Sequence, residues 1–77
     1  MKFKKTLLKT VAMQNPQTLE GRTLRLWQTS PTSWQVNVTT FEEVLRGPGL
    51  ISKVMANDYL TATVSYQKSL GFQEVTK

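Results

Sequence analysis

Two stretches in the middle of the chain alternate between apolar and polar residues. Residues 23–28 and 34–39 both carry apolar side chains at every second position, which is the period of a β-strand. Leu24 and Leu26 share one face of the first stretch, and Trp27 falls on the other face. The five residues between the stretches are rich in Thr, Ser and Pro, a length that suits a hairpin connection. The pattern predicts a β-hairpin over about residues 23–39.

The first apolar stretch of the chain fits two periods. Its apolar residues up to Val11 share one face of a helix, but Leu7, Val11 and Met13 share one face of a strand. The β-branched residues in this stretch favour a strand from about Thr6 to Met13. Pro16 then ends the element, because proline lacks an amide hydrogen and restricts the residue before it.

Two helix signals come after the hairpin. Thr40 and Glu43 have the spacing of a capping box, in which each side chain satisfies the other residue's backbone amide. We therefore expect a short helix through Arg46, ended by Gly47-Pro48-Gly49. Helical spacing continues over residues 50–55, and Asn57-Asp58 either closes that turn or caps a new helix.

Residues 59–66 fit a strand by their alternation, but Asp58 and Gly71 are good residues for the two ends of a helix. We favour the helix, followed by a strand over residues 72–76. Phe72 is then expected to pack back on Tyr66, as in a Schellman ending. The inner side of this helix is expected to carry Tyr59, Leu60, Val64 and Tyr66.

These elements predict an α+β fold. We expect a small antiparallel sheet, built on the central hairpin at about 23–39, with one or two helices packed on one face. A chain of 77 residues is predicted to form a single domain over residues 1–77, because two cores would need more apolar residues.

The segment from Asp58 to Val75 resembles the helix-to-strand segment of vicinal oxygen chelate (glyoxalase-like) domains. Its Tyr-x-Lys-x-Leu-Gly-Phe part, which ends at Phe72, is also similar to the tail of some acetyltransferases. The resemblance implies a helix, a glycine and a strand in that order. The metal ligands of the chelate family, chiefly His and Glu, have no counterpart because the chain contains no histidine. The resemblance therefore implies secondary structure and no activity.

The composition restricts the chemistry that the chain can perform. Without His or Cys, nucleophilic triads and His- or Cys-based metal sites are ruled out. Glu42 and Glu43 are neighbours and point about 100° apart on a helix, so they form a poor carboxylate pair. The Arg46–Gly49 segment lacks the phosphate-loop pattern, and Pro48 removes an amide that such a loop needs. We predict no enzyme activity, no cofactor and no metal.

The absence of cysteine also bears on location. A small secreted domain usually needs disulfides, so their absence favours the cytoplasm. The first 13 residues imitate a signal peptide, with a basic head and an apolar body, but Lys9 interrupts that body. No apolar run approaches the roughly 20 residues of a membrane span, so a membrane partner is not expected.

The net charge is concentrated at the N-terminal end. The formal charge is +5, and the first 25 residues carry six basic residues against Glu20 alone. Such asymmetry is typical of a surface that meets phosphates or an acidic protein. The alternative is a solvated, lysine-rich edge that keeps a small protein soluble.

The candidate partner-binding residues are taken from this charge and from the exposed side of the hairpin. They are Lys2, Lys4, Lys5, Lys9, Arg22, Arg25 and Trp27. On one basic face, these cations could meet phosphates while Trp27 stacks on a base. Alternatively, Trp27 covers the second side of a thin sheet, with basic side chains lying across it.

Two functions remain open for a chain that binds rather than catalyses. The first is a protein-interaction role as an inhibitor, adaptor or small subunit, including self-association, through a free sheet face or edge. We favour this role because the composition rules out most catalytic chemistry and no residue pattern identifies another function. The alternative is a nucleic-acid-binding accessory protein that uses the basic N-terminal face, although no known nucleic-acid-binding signature is present.

Overall fold

The computed structural model describes residues 3–75. A five-stranded antiparallel sheet has the strand order β4-β3-β2-β1-β5, and one helix packs against it. The predicted α+β class is confirmed. In chain order the elements are β1 (Thr6–Gln14), β2 (Gly21–Ser30), β3 (Ser33–Thr39), β4 (Val44–Arg46), α1 (Lys53–Ser69) and β5 (Gln73–Glu74).

The central hairpin forms as predicted, with a tighter turn than the sequence indicates. β2 and β3 run on to Ser30 and Ser33, which leaves only two residues between them. The Ser30 hydroxyl accepts a hydrogen bond from the Thr32 amide at 3.3 Å. Serine in this position can thus stay in the ladder and still close the turn.

β1 is also a strand, as predicted, and the turn after it is built on Asn15. The Asn15 side-chain oxygen accepts hydrogen bonds from the amides of Gln17, at 2.9 Å, and Thr18, at 3.3 Å. This is the local bonding for which asparagine is favoured in turns. The turn brings the chain back as β2 along the whole of β1.

The core lies between α1 and one face of the sheet. Strand alternation places Leu24, Leu26 and Val36 on that face, and all three are buried. The buried apolar cluster is Val11, Met13, Leu24, Leu26, Val36, Leu50, Ala56, Leu60 and Phe72.

The predicted helix at Thr40–Arg46 is wrong. The Thr40 hydroxyl does accept from the Glu43 amide, at 3.1 Å, as a helix cap would. However, the Thr40 amide donates to the Glu43 backbone oxygen at 2.8 Å, which closes a tight turn instead of a helical one. The chain then returns as β4, where Leu45 pairs with Val38. Pairing along the free edge of β3 outweighs the local capping preference, because it adds ladder bonds that a one-turn helix lacks.

α1 is longer than predicted and begins at a different cap. Ser52 is its N-cap, and the Ser52 hydroxyl accepts from the Met55 amide at 3.1 Å. Asn57-Asp58 therefore lies inside the helix and neither ends nor starts one. The helical interpretation of residues 59–66 is confirmed over the strand. No helix in residues 3–75 is long and apolar enough to cross a membrane.

The end of α1 is the predicted Schellman ending. Gly71 has a φ of 98°, and the Phe72 amide donates to the Gln67 carbonyl at 3.1 Å. Leu60 and Val64 face the sheet as expected, but Tyr66 is 61% exposed and does not lie on the inner side. The predicted last strand is present as the two residues of β5, and Thr76 lies outside the described residues.

Candidate nucleic-acid interface

The sheet face opposite α1 carries no helix among residues 3–75, and we refer to it as the open face. Directly paired residues of an antiparallel sheet point to the same side. The register pairs Thr10 with Arg25, Arg25 with Asn37, and Asn37 with Arg46. One row of side chains therefore crosses four strands on this face. On β2, Trp27 lies two residues from Arg25 and faces the same way.

A shallow groove of about 220 Å³ runs along the open face. We call it the basic groove because three cationic side chains line it. Its lining residues are Lys5, Arg25, Trp27, Asn37, Thr39, Val44 and Arg46. They come from the segment before β1 and from three strands, so only the folded sheet brings them together.

The cations of the basic groove have no carboxylate partner in the described part of the chain. Within residues 3–75 the ion pairs are Arg22 with Glu20 and Lys68 with Glu74, and neither involves the groove. Arg25 is oriented by Thr39, whose hydroxyl accepts from the guanidinium Nη1 at 3.2 Å. Unpaired cations on a shared surface produce a positive potential that attracts anions.

Trp27 provides the aromatic surface of the basic groove. Its ring is half-buried, and the Lys5 ammonium nitrogen lies 4.5 Å from the ring centroid. This is the geometry of a cation–π contact. The contact holds the flexible end of Lys5 over the sheet, next to the charge of Arg25.

Asn37 lies at the floor of the basic groove between the two arginines. The residue is only 6% exposed, and its side-chain oxygen Oδ1 is buried without a hydrogen-bond partner among residues 3–75. Buried polar atoms in folded proteins nearly always have a partner, and each exception needs an explanation. Within the described residues, Oδ1 is therefore an unpartnered acceptor that lies buried at the floor of the groove.

The structure brings together only part of the predicted site. Lys5, Arg25 and Trp27 meet on the open face. Arg22 lies an odd number of residues from Arg25 on the same strand, so it points to the α1 side. Lys9 also lies on the α1 side, where it pairs with Leu26. Lys4 is exposed ahead of β1, and Lys2 lies outside the described residues.

Arg22 has a packing role in this structure. Its guanidinium carbon Cζ lies 4.4 Å from the centroid of the Phe72 ring, and its Nη1 donates to the Gln67 side-chain oxygen at 2.7 Å. The Arg22 Nε also pairs with Glu20 at 3.0 Å. These contacts connect β2 to the end of α1, so Arg22 is not available to the open face.

Sequence reasoning missed four of the residues that line the basic groove, namely Asn37, Thr39, Val44 and Arg46. Arg46 was assigned to a helix that does not form, and as a strand residue it would have alternated onto one face with Val44. The pattern identifies Asn37 only as a strand residue that points away from its valine neighbours. The predicted five-residue connection leaves residues 28 and 34 opposite each other, so it does place Asn37 beside Arg25. Nothing in the pattern, however, marks Asn37 as a residue of a site.

A larger groove, of about 570 Å³, lies at the end of the sheet. The loop before β2 and the loop before β4 line it, and it contains Glu20, Glu42 and Glu43. Phe41 in the same loop is 93% exposed. Three carboxylates against Arg22 make this groove unfavourable for phosphates. This acidic groove and the basic groove share no lining residue.

Residues 3–75 contain no group of three or more acidic residues placed to hold a metal ion. Comparisons with protein-family models, curated proteins and solved structures find no match to this chain.

Proposed function

We propose that this chain binds nucleic acid through the basic groove of the open face. The observation that carries the proposal is the convergence of Lys5, Arg25 and Arg46 around Trp27, with none of the three cations paired to a carboxylate within residues 3–75. Phosphate contacts from Lys and Arg supply most of the affinity of sequence-independent binding. An aromatic ring beside them is the usual means of holding a base.

This proposal reverses the order of the two functions expected from the sequence. The open face presents three cations without acid partners within residues 3–75 beside the apolar side chains of Leu7 and Val44. These cations suit a phosphate backbone. The basic N-terminal cluster contributes Lys5 and Arg25, and Arg46 supplies the third cation. A cytoplasmic location, which the absence of cysteine favours, gives access to RNA and DNA.

A salt titration of the wild-type chain tests the proposal. We expect a fluorescently labelled oligonucleotide of about 12 nucleotides to bind at low salt. Three phosphate contacts on a single strand predict a slope of about −2 in log affinity against log salt, so affinity should fall roughly 20-fold between about 50 and 200 mM. Fluorescence anisotropy measures both values. Absence of binding at the lower salt concentration would overturn the proposal.

Two double variants with the same net charge locate the binding surface. Arg25→Gln with Arg46→Gln removes two cations of the basic groove, whereas Lys9→Gln with Lys53→Gln removes two exposed cations elsewhere. The arginine variant should reduce the salt slope to about one third of the wild-type value, because one phosphate contact remains. The lysine variant should keep most of the slope. Equal losses in both variants would mean that net charge, not the groove, drives binding.

A protein-interaction role is the second candidate, supported by apolar side chains around the start of α1. Ile51 is 76% exposed and Val54 is 70% exposed. Tyr59 lies beside Gly47, at the end of β4. Exposed apolar groups concentrated on one part of a small domain are typical of a contact surface.

Light scattering across a range of protein concentrations tests this second candidate for self-association. If copies of the chain associate through these residues, the mean mass of the wild type should rise with concentration, and Ile51→Ser with Val54→Ser should abolish the rise. A matched pair of exposed substitutions on the open face, Leu7→Ser with Val44→Ser, should leave it unchanged. A monomer at every concentration would exclude self-association.

A further inference from the structure

The basic groove has features that distinguish an unpaired strand from a duplex. We infer that it takes single-stranded nucleic acid, with one base stacked on Trp27 and a neighbouring base hydrogen-bonded to Asn37. This inference rests on the proposed function and names the form of nucleic acid that the same site selects. Three observations support it: the width of the open face, the unpartnered oxygen of Asn37 and the position of Lys5 on Trp27.

The open face is wider than a groove of undistorted B-DNA. At the level of Arg25, β1 to β4 lie side by side, and three strand spacings place the outer two about 14 Å apart. The major groove of B-DNA is about 12 Å wide and admits a helix or a two-stranded ribbon. A duplex on this face would therefore offer phosphates to the rim and keep its bases away from Asn37 at the floor.

The unpartnered Oδ1 of Asn37 matches a base edge and not a phosphate. Oδ1 is an acceptor, and a phosphate group in a nucleic-acid backbone also offers only acceptors, so the two cannot bond. The amino and imino groups of bases are donors. In a duplex the imino groups and one hydrogen of each amino group are engaged in base pairing, and the other amino hydrogens point into the grooves. A single strand presents all of these donors freely.

Arg25 and Arg46 stand on either side of Asn37 in the register. Their long side chains can swing toward phosphates on the two sides of a bound strand. That movement would open the floor of the basic groove, so that a base edge reaches Oδ1. The movement of the two arginines toward phosphates would thus couple phosphate binding to the contact between a base and Asn37.

Lys5 occupies the position that a stacked base would take. Its ammonium nitrogen lies 4.5 Å from the centroid of the Trp27 ring, so the ring face is covered by a group that is itself a phosphate ligand. A base that stacks on Trp27 displaces the ammonium group, which can then pair with the phosphate of the same nucleotide. An unpaired base can reach the ring in this way, but a base inside a duplex cannot.

The test compares single strands with a duplex of the same sequence. Labelled DNA and RNA single strands of about 12 nucleotides and the corresponding blunt duplexes are titrated by anisotropy at low salt. We expect single strands to bind at least about 10-fold more tightly than duplexes. Equal or tighter duplex binding would overturn this inference and leave the proposed function standing. Absence of binding to every oligonucleotide would overturn both.

Variants of the two base-contacting residues sharpen the test. Trp27→Leu should weaken single-strand binding roughly 5- to 100-fold and leave duplex binding nearly unchanged, whereas Trp27→Phe, which keeps a ring, should retain most of the affinity. Asn37→Leu should weaken single-strand binding without loss of thermal stability. Thermal melting of each variant shows that it is folded. If folded Trp27→Leu and Asn37→Leu both bind single strands as tightly as the wild type, the assigned base contacts are wrong.

Discussion

The two faces of the sheet are built from the same strands, but they differ in how their side chains are buried and paired. On the α1 side, Leu24, Leu26 and Val36 are buried in a continuous apolar cluster, and Arg22 has both an acid partner and a hydrogen-bonded amide. On the open face, Lys5, Arg25 and Arg46 have no acid partner within residues 3–75. There, the Oδ1 of Asn37 is buried without a partner from the same residues.

This difference separates the side chains that stabilise the fold, on the α1 side, from the polar and charged side chains that the open face presents to solvent. Burial of apolar surface accounts for the α1 side, because it is the main favourable contribution to folding. It does not account for cations gathered without counter-charges, because like charges repel one another. Natural sequences depart from the stabilising choice mainly at functional sites. Within residues 3–75, the basic groove of the open face has two such departures, the cations without acid partners and the unpartnered Oδ1 of Asn37.

The largest expected effect comes from the same truncation on the two faces. Leu24 is 0% exposed on the α1 side, and Leu7 is 44% exposed where β1 pairs with Trp27. Leu24→Ala should lower the free energy of unfolding by about 2–5 kcal/mol, because it leaves a cavity in the core. Leu7→Ala should cost about 1 kcal/mol or less. Urea denaturation measures both, and similar losses would contradict the division between the faces.

Much of this division could be predicted from the sequence. Alternation in residues 23–39 correctly gave the hairpin and put Leu24 and Trp27 on opposite faces. Gly71 and Phe72 correctly gave the end of α1, because a Schellman ending depends on local residues only.

The rest depended on contacts that are distant along the chain. The Thr40 to Glu43 capping signal is real in the structure, but pairing with β3 makes the next residues a strand. That pairing places Arg46 on the open face. The sequence also grouped Arg22 and Arg25 by proximity, although strand alternation sends them to opposite sides. The sequence therefore predicts only part of the candidate site. Charged residues can be identified from the sequence, but the order of the strands, which decides which of them meet, cannot.

The second effect tests how closely the α1 side is packed near β4. A Cβ atom on Gly47 would lie 2.5 Å from the Val36 carbonyl oxygen, whereas one on Gly49 would lie no closer than 3.9 Å to the Ser33 hydroxyl. Gly47→Ala should therefore cost about 1–3 kcal/mol, and Gly49→Ala should cost less than about 0.5 kcal/mol. Thermal melting of the two variants checks the prediction. A Gly47→Ala variant as stable as the wild type would show that β4 is held loosely.

The third effect uses one residue type in two environments. Asn15 accepts two backbone hydrogen bonds, whereas the Oδ1 of Asn37 accepts none within residues 3–75. Asn15→Leu should lower the free energy of unfolding by about 1 kcal/mol, and Asn37→Leu should raise it by about the same amount, because it removes an unpartnered buried acceptor. Chemical denaturation gives both signs. If Asn37→Leu lowers the free energy of unfolding instead, Asn37 stabilises the fold and its role in binding is contradicted.

The open face, and neither α1 nor the acidic sheet end, is the surface that we propose contacts nucleic acid. Backbone and side-chain NMR signals recorded during titration with a single-stranded oligonucleotide at low salt test this directly. We predict shifts in the indole N–H of Trp27 and in the signals of Arg25, Asn37 and Arg46, while Ala56 in α1 stays unchanged. Shifts confined to α1, or to the acidic loop that begins at Phe41, would contradict the proposal.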